Sequence, residues 1–406
     1  MSKAGSLRIK PIYFILFLMA SYILLWCIST PIILLYLKLA GFEYSGYYAN
    51  LIGGIPLHIS IIIICGTAIP CYYIPTRYYF RRVRGYVVTM WHIFMIALLF
   101  WLFSMLLDIL IVVVMLGINI LNYPFNWIYL SVSIVMILSV FFAGTNTIYG
   151  ERGCTSEEVD LILYSCGLRT FHPGGLEKTD EMAKSCGVGP GMRVFDVGAG
   201  TGMTACFLAK KYECEVVGVD ISERMVEIAR ENARRMGLED KVCFYVTDAY
   251  NLPFEDETFD VMLAECTTVM LGKERAFREF LRVLKSGGFI CDLEMTWRRE
   301  PSENVRRRLY DSWEGYRTMT LEEWKRFFEN MGLVEVRAVD FSESISEMEM
   351  MLKRELGIVG MLKLLFFMLV RPDFRRAMME YGDIFRRYGE YIGCGYIIGR
   401  KPMKKR

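Results

Sequence analysis

Acidic side chains are nearly missing from the first 150 residues, where only Glu43 and Asp108 stand against eight lysines and arginines. The rest of the chain then holds 39 basic and 43 acidic residues, a net charge near −4. No clustered basic face is on offer there, so nucleic acid is not an expected partner. The twelve cysteines never form a C-x-x-C pair, and the closest two, Cys65 and Cys71, lie in apolar sequence. That excludes a zinc knuckle, leaves no metal site to expect, and suits reduced, buried thiols. Histidine occurs three times, and His172 is the only one beyond residue 150. A chain of 406 residues exceeds one ordinary domain, and the composition divides it into 1–150 and 151–406.

Long apolar runs fill the first part. Residues 11–36 are uncharged over more than the roughly 20 residues that cross a bilayer, too long for a signal-peptide core. Further runs cover 51–74, 86–121 and 127–149. The third could be one tilted helix or two short ones. Lys3, Arg8 and Lys10, and again Arg77, Arg81, Arg82 and Arg84, mark the faces expected in the cytoplasm. Only a single crossing by the third run keeps the second half on that side. The expectation is thus an α-helical transmembrane bundle of about four spans, multi-pass in the cell membrane, with residues 151–406 cytoplasmic and the bilayer as a partner.

From residue 175 the pattern becomes short β-branched runs alternating with amphipathic segments, which predicts a seven-stranded, doubly wound α/β sheet. Strands are expected at 192–197, 215–219, 242–246, 259–264, 288–294, 334–339 and 396–399, with helices at 176–185, 203–211, 224–236, 275–284 and 321–331. V-F-D-V-G-A-G-T-G at 194–202 places glycines 198, 200 and 202 between the first strand and a helix. Such a turn lets backbone approach a ligand and aims unpaired N–H groups at an anion. Its G-x-G-x-G spacing differs from the G-x-G-x-x-G of dinucleotide binders. Asp220 ends the second strand, where a carboxylate can accept both ribose hydroxyl protons. Asp248 follows the third, placed to meet an adenine amino group. Asp196 can anchor the loop or pair with a ligand ammonium.

Together these elements, with G-V-D-I-S, T-D-A-Y-N-L-P-F, Phe259–Asp260 and F-L-R-V-L-K-S-G-G at 280–288, resemble the class I S-adenosylmethionine (SAM) methyltransferases of the type 11 group, akin to quinone, sterol and phospholipid methyltransferases. The resemblance implies a Rossmann-like fold, SAM as cofactor, and a binding set of Asp196, Gly198, Gly200, Gly202, Asp220, Ile221, Asp248, Ala249 and Glu265. It puts the glycine turn at the methionine moiety, Asp220 at the ribose and Asp248 at the adenine. Ser286 stands where the family usually has proline.

Methyl transfer from a sulfonium is an in-line displacement, so positioning is the protein's main task. His172, in F-H-P-G-G, is the candidate base for a nitrogen or oxygen nucleophile. Glu265, after the fourth strand, could orient an acceptor or simply be a solvated loop acid. Glu294 and Trp297 could wall the same pocket. Between the last two strands, 341–391 is longer than a hairpin needs. Within it 357–370 (GIVGMLKLLFFMLV) is apolar with basic flanks, too short to span a bilayer but suited to its surface or to a buried cap. The expected acceptor is lipophilic and membrane-resident, an isoprenoid quinone or a lipid headgroup. The alternatives are a soluble or protein acceptor, or a non-catalytic SAM sensor.

Overall fold

The computed structural model describes residues 57–83, 90–108, 127–150, 152–312 and 317–404, with residues 23 and 28 singly. The chain divides into two compact units, Met1–Cys154 with Phe366–Arg376, and Thr155–Leu365 with Ala377–Arg406.

In the first unit three helices are described, α1 (Leu57–Val83), α2 (Met90–Asp108) and α3 (Trp127–Tyr149), with α3 packing on both others. Tyr72, Phe80, Ile93, Phe100, Met136 and Val140 bury one another in their shared core. Gly144 lets α3 approach closely, since a Cβ there would come within 2.6 Å of Ile93 and 2.8 Å of Phe80. Among the described residues no helix is long and apolar enough to cross a membrane, which overturns the expected transmembrane bundle. The run at 127–149 coincides with α3, and the described parts of 51–74 and 86–121 lie in α1 and α2. Helix α1 continues past its apolar stretch through Arg77, Arg81 and Arg82, with Pro70 and Pro75 inside it. Helices that are hydrophobic all round can equally be buried against one another, and apolar length does not separate the two cases. The run 11–36 lies outside the described residues.

The second unit is built on β1 (Arg193–Val197), β2 (Glu215–Asp220), β3 (Val242–Val246), β4 (Phe259–Glu265), β5 (Leu284–Trp297), β6 (Met319–Thr320), β7 (Val334–Asp340) and β8 (Ile392–Arg400). These form one sheet in the order β3-β2-β1-β4-β5-β8-β7, with the short β6 beside β5. The first five strands pair in parallel, whereas β8 runs antiparallel to β5 and β7. Strand order reverses between β1 and β4, the position where open α/β sheets bind ligands beyond their carboxyl ends. The remaining helices are α4 (Ser156–Cys166), α5 (Gly175–Ser185), α6 (Met203–Tyr212), α7 (Glu223–Met236), α8 (Lys273–Val283), α9 (Glu303–Ser312), α10 (Leu321–Asn330), α11 (Met348–Val370) and α12 (Pro372–Tyr388).

Alternation along β1 sends Val194 into one core, with Met182, Ala205 and Val226, and Phe195 into the other, with Phe259, Phe277 and Trp324. Helix limits follow local chemistry. Thr155 with Glu158 and Thr320 with Glu323 form capping boxes for α4 and α10, and Gly237 closes α7 in the left-handed region. The long 341–391 segment becomes a 3-10 turn, Ser342–Glu347, followed by α11 and α12. Gly357, at φ 57° and ψ −169°, kinks α11.

Candidate active site

The site begins where β1 ends. Gly198, Gly200 and Gly202 all have positive φ. A Cβ on Gly198 would strike the Thr267 side chain at 2.2 Å, and one on Gly202 would meet Phe244 at 2.6 Å, so neither position admits a side chain. The loop is pinned from β2: Val219 O accepts the N–H groups of Gly198 and Ala199, and Asp220 Oδ2 accepts that of Gly200 at 2.9 Å. Asp220 Oδ1 accepts from Ser222 N at 2.9 Å. Burial raises the Asp220 carboxyl above its usual range against these backbone hydrogen bonds.

Asp196, adjacent to the loop, is 2% exposed, and its Oδ2 has no hydrogen-bond partner. Burial, then the charges of Glu265 and Asp220, push its carboxyl well above the ordinary range. An orphaned carboxylate oxygen beside a glycine turn fits a positively charged ligand group, and SAM carries both an ammonium and a sulfonium. Asp248 accepts from Tyr250 N at 2.9 Å in the turn after β3, with Ala249 beside it. Ile221 is 78% exposed beyond β2, an apolar face available to a flat base.

His172 and Glu265, far apart in sequence, meet. His172 Nε2 lies 3.2 Å from Glu265 Oε2, with both side chains buried. Thr179, on α5, donates to Glu265 Oε1 at 2.6 Å, and Thr204, in the first turn of α6, donates to Oε2 at 2.6 Å. One carboxylate thus ties two helices and the His172 loop to the end of β4. Glu265 is therefore no solvated loop acid. Neither threonine was expected from sequence, because a hydroxyl one turn into a helix carries no signal of the distant acid it will meet.

Glu294 and Trp297 do not wall an open pocket. Glu294 is fully buried and accepts from the backbone N–H of Thr268 and Val269 at 2.6 and 3.2 Å, while Trp297 Nε1 donates to Thr318 O. Asp292, two residues earlier on the same face of β5, accepts from Thr268 Oγ1 at 2.6 Å. Burial pushes the Asp292 carboxyl up to about 7 against the Thr268 hydrogen bond and the Lys273 charge, and raises Glu294 as well, with Asp292 adding to the effect. Two acids spaced D-x-E inside the apolar run F-I-C-D-L-E-M were the available signal for this pair.

Residues 194–288 match the methyltransferase-domain family. Phosphoethanolamine N-methyltransferase 1 of Arabidopsis thaliana is 32% identical over 217 residues, covering 52% of this chain and 41% of the plant enzyme, so this chain spans about two-fifths of that relative's length. Among solved structures, the phosphoethanolamine N-methyltransferase 2 of Haemonchus contortus in complex with S-adenosyl-L-methionine aligns with TM-score 0.53 at 19% identity, over 64% of this chain and 60% of that one. The [4+2]-cyclase SpnF aligns with TM-score 0.52 at 24% identity, over 62% and 98%. Both share the fold. Residues 194–288 are thus a methyltransferase domain with S-adenosylmethionine as its cofactor, carried on a Rossmann-like sheet.

Proposed function

We propose that the chain methylates the nitrogen of a small amine of the lipid-headgroup kind. The observation that carries this is the buried Glu265 carboxylate at the end of β4, held by Thr179 and Thr204 with His172 Nε2 3.2 Å away. An incoming ammonium compensates buried negative charge there, whereas a quinone brings none. The resemblance to a phosphoethanolamine N-methyltransferase supports the same choice.

The cofactor supplies an activated methyl group and its own leaving group. The protein must hold the amine in line and remove its proton, because only the free lone pair attacks. His172 Nδ1 lies 3.3 Å from Pro173 O and Nε2 lies 3.2 Å from Glu265 Oε2, so each ring nitrogen faces an acceptor and a neutral ring, with one hydrogen, satisfies only one of them. The His172–Glu265 pair therefore has a place for one more proton and acts as the acceptor of the amine proton. Thr179 and Thr204 hold the carboxylate in place for that role.

The test supplies methyl-labelled SAM together with phosphoethanolamine, with phosphatidylethanolamine vesicles, or with an isoprenoid quinone. Label should enter one of the two amines, and Glu265→Gln should lower kcat by about 100-fold or more with little change in cofactor affinity. Label in the quinone alone would overturn the amine reading. Retained cofactor binding with no label in any acceptor would favour the sensor.

A further inference from the structure

The apolar second half of α11 turns its greasy side outward. Ile358, Leu362 and Leu365 are 82%, 61% and 61% exposed, at the i, i+4, i+7 spacing that lines one face of a helix. Val359, next to them, is exposed as well. The opposite side is anchored: Gly360 lies so close to the end of α4 that a Cβ would come within 2.2 Å of Cys166 O, and Lys363 Nζ donates to Ser165 O at 3.2 Å. Orientation of the stripe is thereby fixed within its own unit. Lys353, Gly357, Ile358, Met361 and Leu362 line a shallow groove of about 350 Å³ at its start, with Arg354 exposed alongside. No acidic residue occurs between Gly357 and Val370.

We propose that this stripe docks on an anionic lipid leaflet, lying in the headgroup region with Ile358, Leu362 and Leu365 among the acyl chains and Lys353 and Arg354 toward lipid phosphates. Such a surface answers both features at once, an apolar face and a cationic edge. A second copy of the chain answers the first and leaves the second unmatched, because 357–370 carries no acidic residue to meet these cations. Thirteen residues beyond the kink match a helix that lies on a bilayer rather than one that crosses it. The docking does not depend on which acceptor the enzyme uses.

A tryptophan at the stripe reports on it. Full-length protein carrying Leu362→Trp is mixed with vesicles of phosphatidylcholine and phosphatidylglycerol in equal parts. Its emission in excess of the unsubstituted protein should shift to the blue and be quenched when the acyl chains are brominated. Adding Lys353→Glu and Arg354→Glu should weaken vesicle affinity by at least about tenfold at low salt. An added tryptophan that stays in water while vesicles are bound, or a failure to bind vesicles, overturns the proposal. So does a blue shift without lipid that grows with protein concentration, which would give the stripe to a second copy. Equal quenching on pure phosphatidylcholine, insensitive to the charge reversals, overturns the anionic part.

Discussion

Asp292 shows how a single buried acid sets a pH response. Its carboxyl lies at about 7 in the folded protein, pushed up by burial, against about 3.9 in an unfolded chain. Between those values the folded state binds the extra proton, so stability is present at low pH and is lost as pH rises toward 7. The slope for one proton approaches about 1.4 kcal/mol per pH unit. Asp292→Asn keeps an acceptor for Thr268 and removes the titration. Chemical denaturation of this variant should show a flatter stability profile from pH 5 to 8 and a gain over the parent at the upper end. A parallel profile would mean that the charge is held elsewhere. Residues of this kind are the least legible in sequence. Asp196, Asp220 and Asp248 could be named as candidates because the pattern already marks the strands they lie in or follow, and the structure places them in β1, at the end of β2 and in the turn after β3. Thr179 and Thr204 could not, since their meaning comes from a carboxylate 86 and 61 positions away.

At the scale of elements, periodicity located seven of the eight strands to within a few residues and missed β6, whose two residues are too few to show a period, so the expected seven-stranded sheet has eight strands; the glycine turn fell between β1 and α6. Two elements were read too short. β5 starts at Leu284 and not at 288, because its register with β4 shifts between Phe259 and Val261 and lets pairing begin earlier. β8 starts at Ile392, four residues before its β-branched core, since Gly393 and Gly395 pair opposite Thr296 and Glu294 despite poor strand propensity. In Gly395, the missing side chain accommodates Leu321 and Val339 O. The same logic governs α11 and α4. Gly360→Ala should destabilise the protein by about 1–3 kcal/mol in urea titration, because its methyl group would drive into a backbone carbonyl that cannot move aside. Gly382, which has nothing nearby, is the control and should lose nothing on the same change.

For the whole molecule, hydrophobic length was the misleading signal. It identified apolar helices in the first unit, yet among the described residues none is long and apolar enough to cross a membrane. Within that unit Asp373 is fully enclosed and takes two hydrogen bonds from Arg371, at 2.9 and 2.7 Å, with Arg152 at 3.4 Å. Burial raises its carboxyl, yet the Arg371 hydrogen bonds and charge hold it below the ordinary range. Asp373→Asn would leave Arg371 buried without its counter-charge and should cost about 3–5 kcal/mol. Differential scanning calorimetry should place that loss in the transition of the first unit. A shift confined to the transition of the sheet unit would show that Asp373 supports the other body.

Asp196 gives the cofactor site a calorimetric signature. Its unpartnered Oδ2 and a carboxyl raised by burial mean that a bound cation lowers its hold on a proton. Over the pH range in which that carboxyl titrates, the heat of ligand binding should change with the ionisation enthalpy of the buffer, in the direction of proton release. Comparing SAM with S-adenosylhomocysteine, which lacks the sulfonium charge but retains the ammonium, assigns the displacing group. Equal release by both points to the ammonium, and release by SAM alone to the sulfonium. In the latter case the carboxyl is reprotonated once the methyl has left, and the site itself distinguishes fresh cofactor from spent.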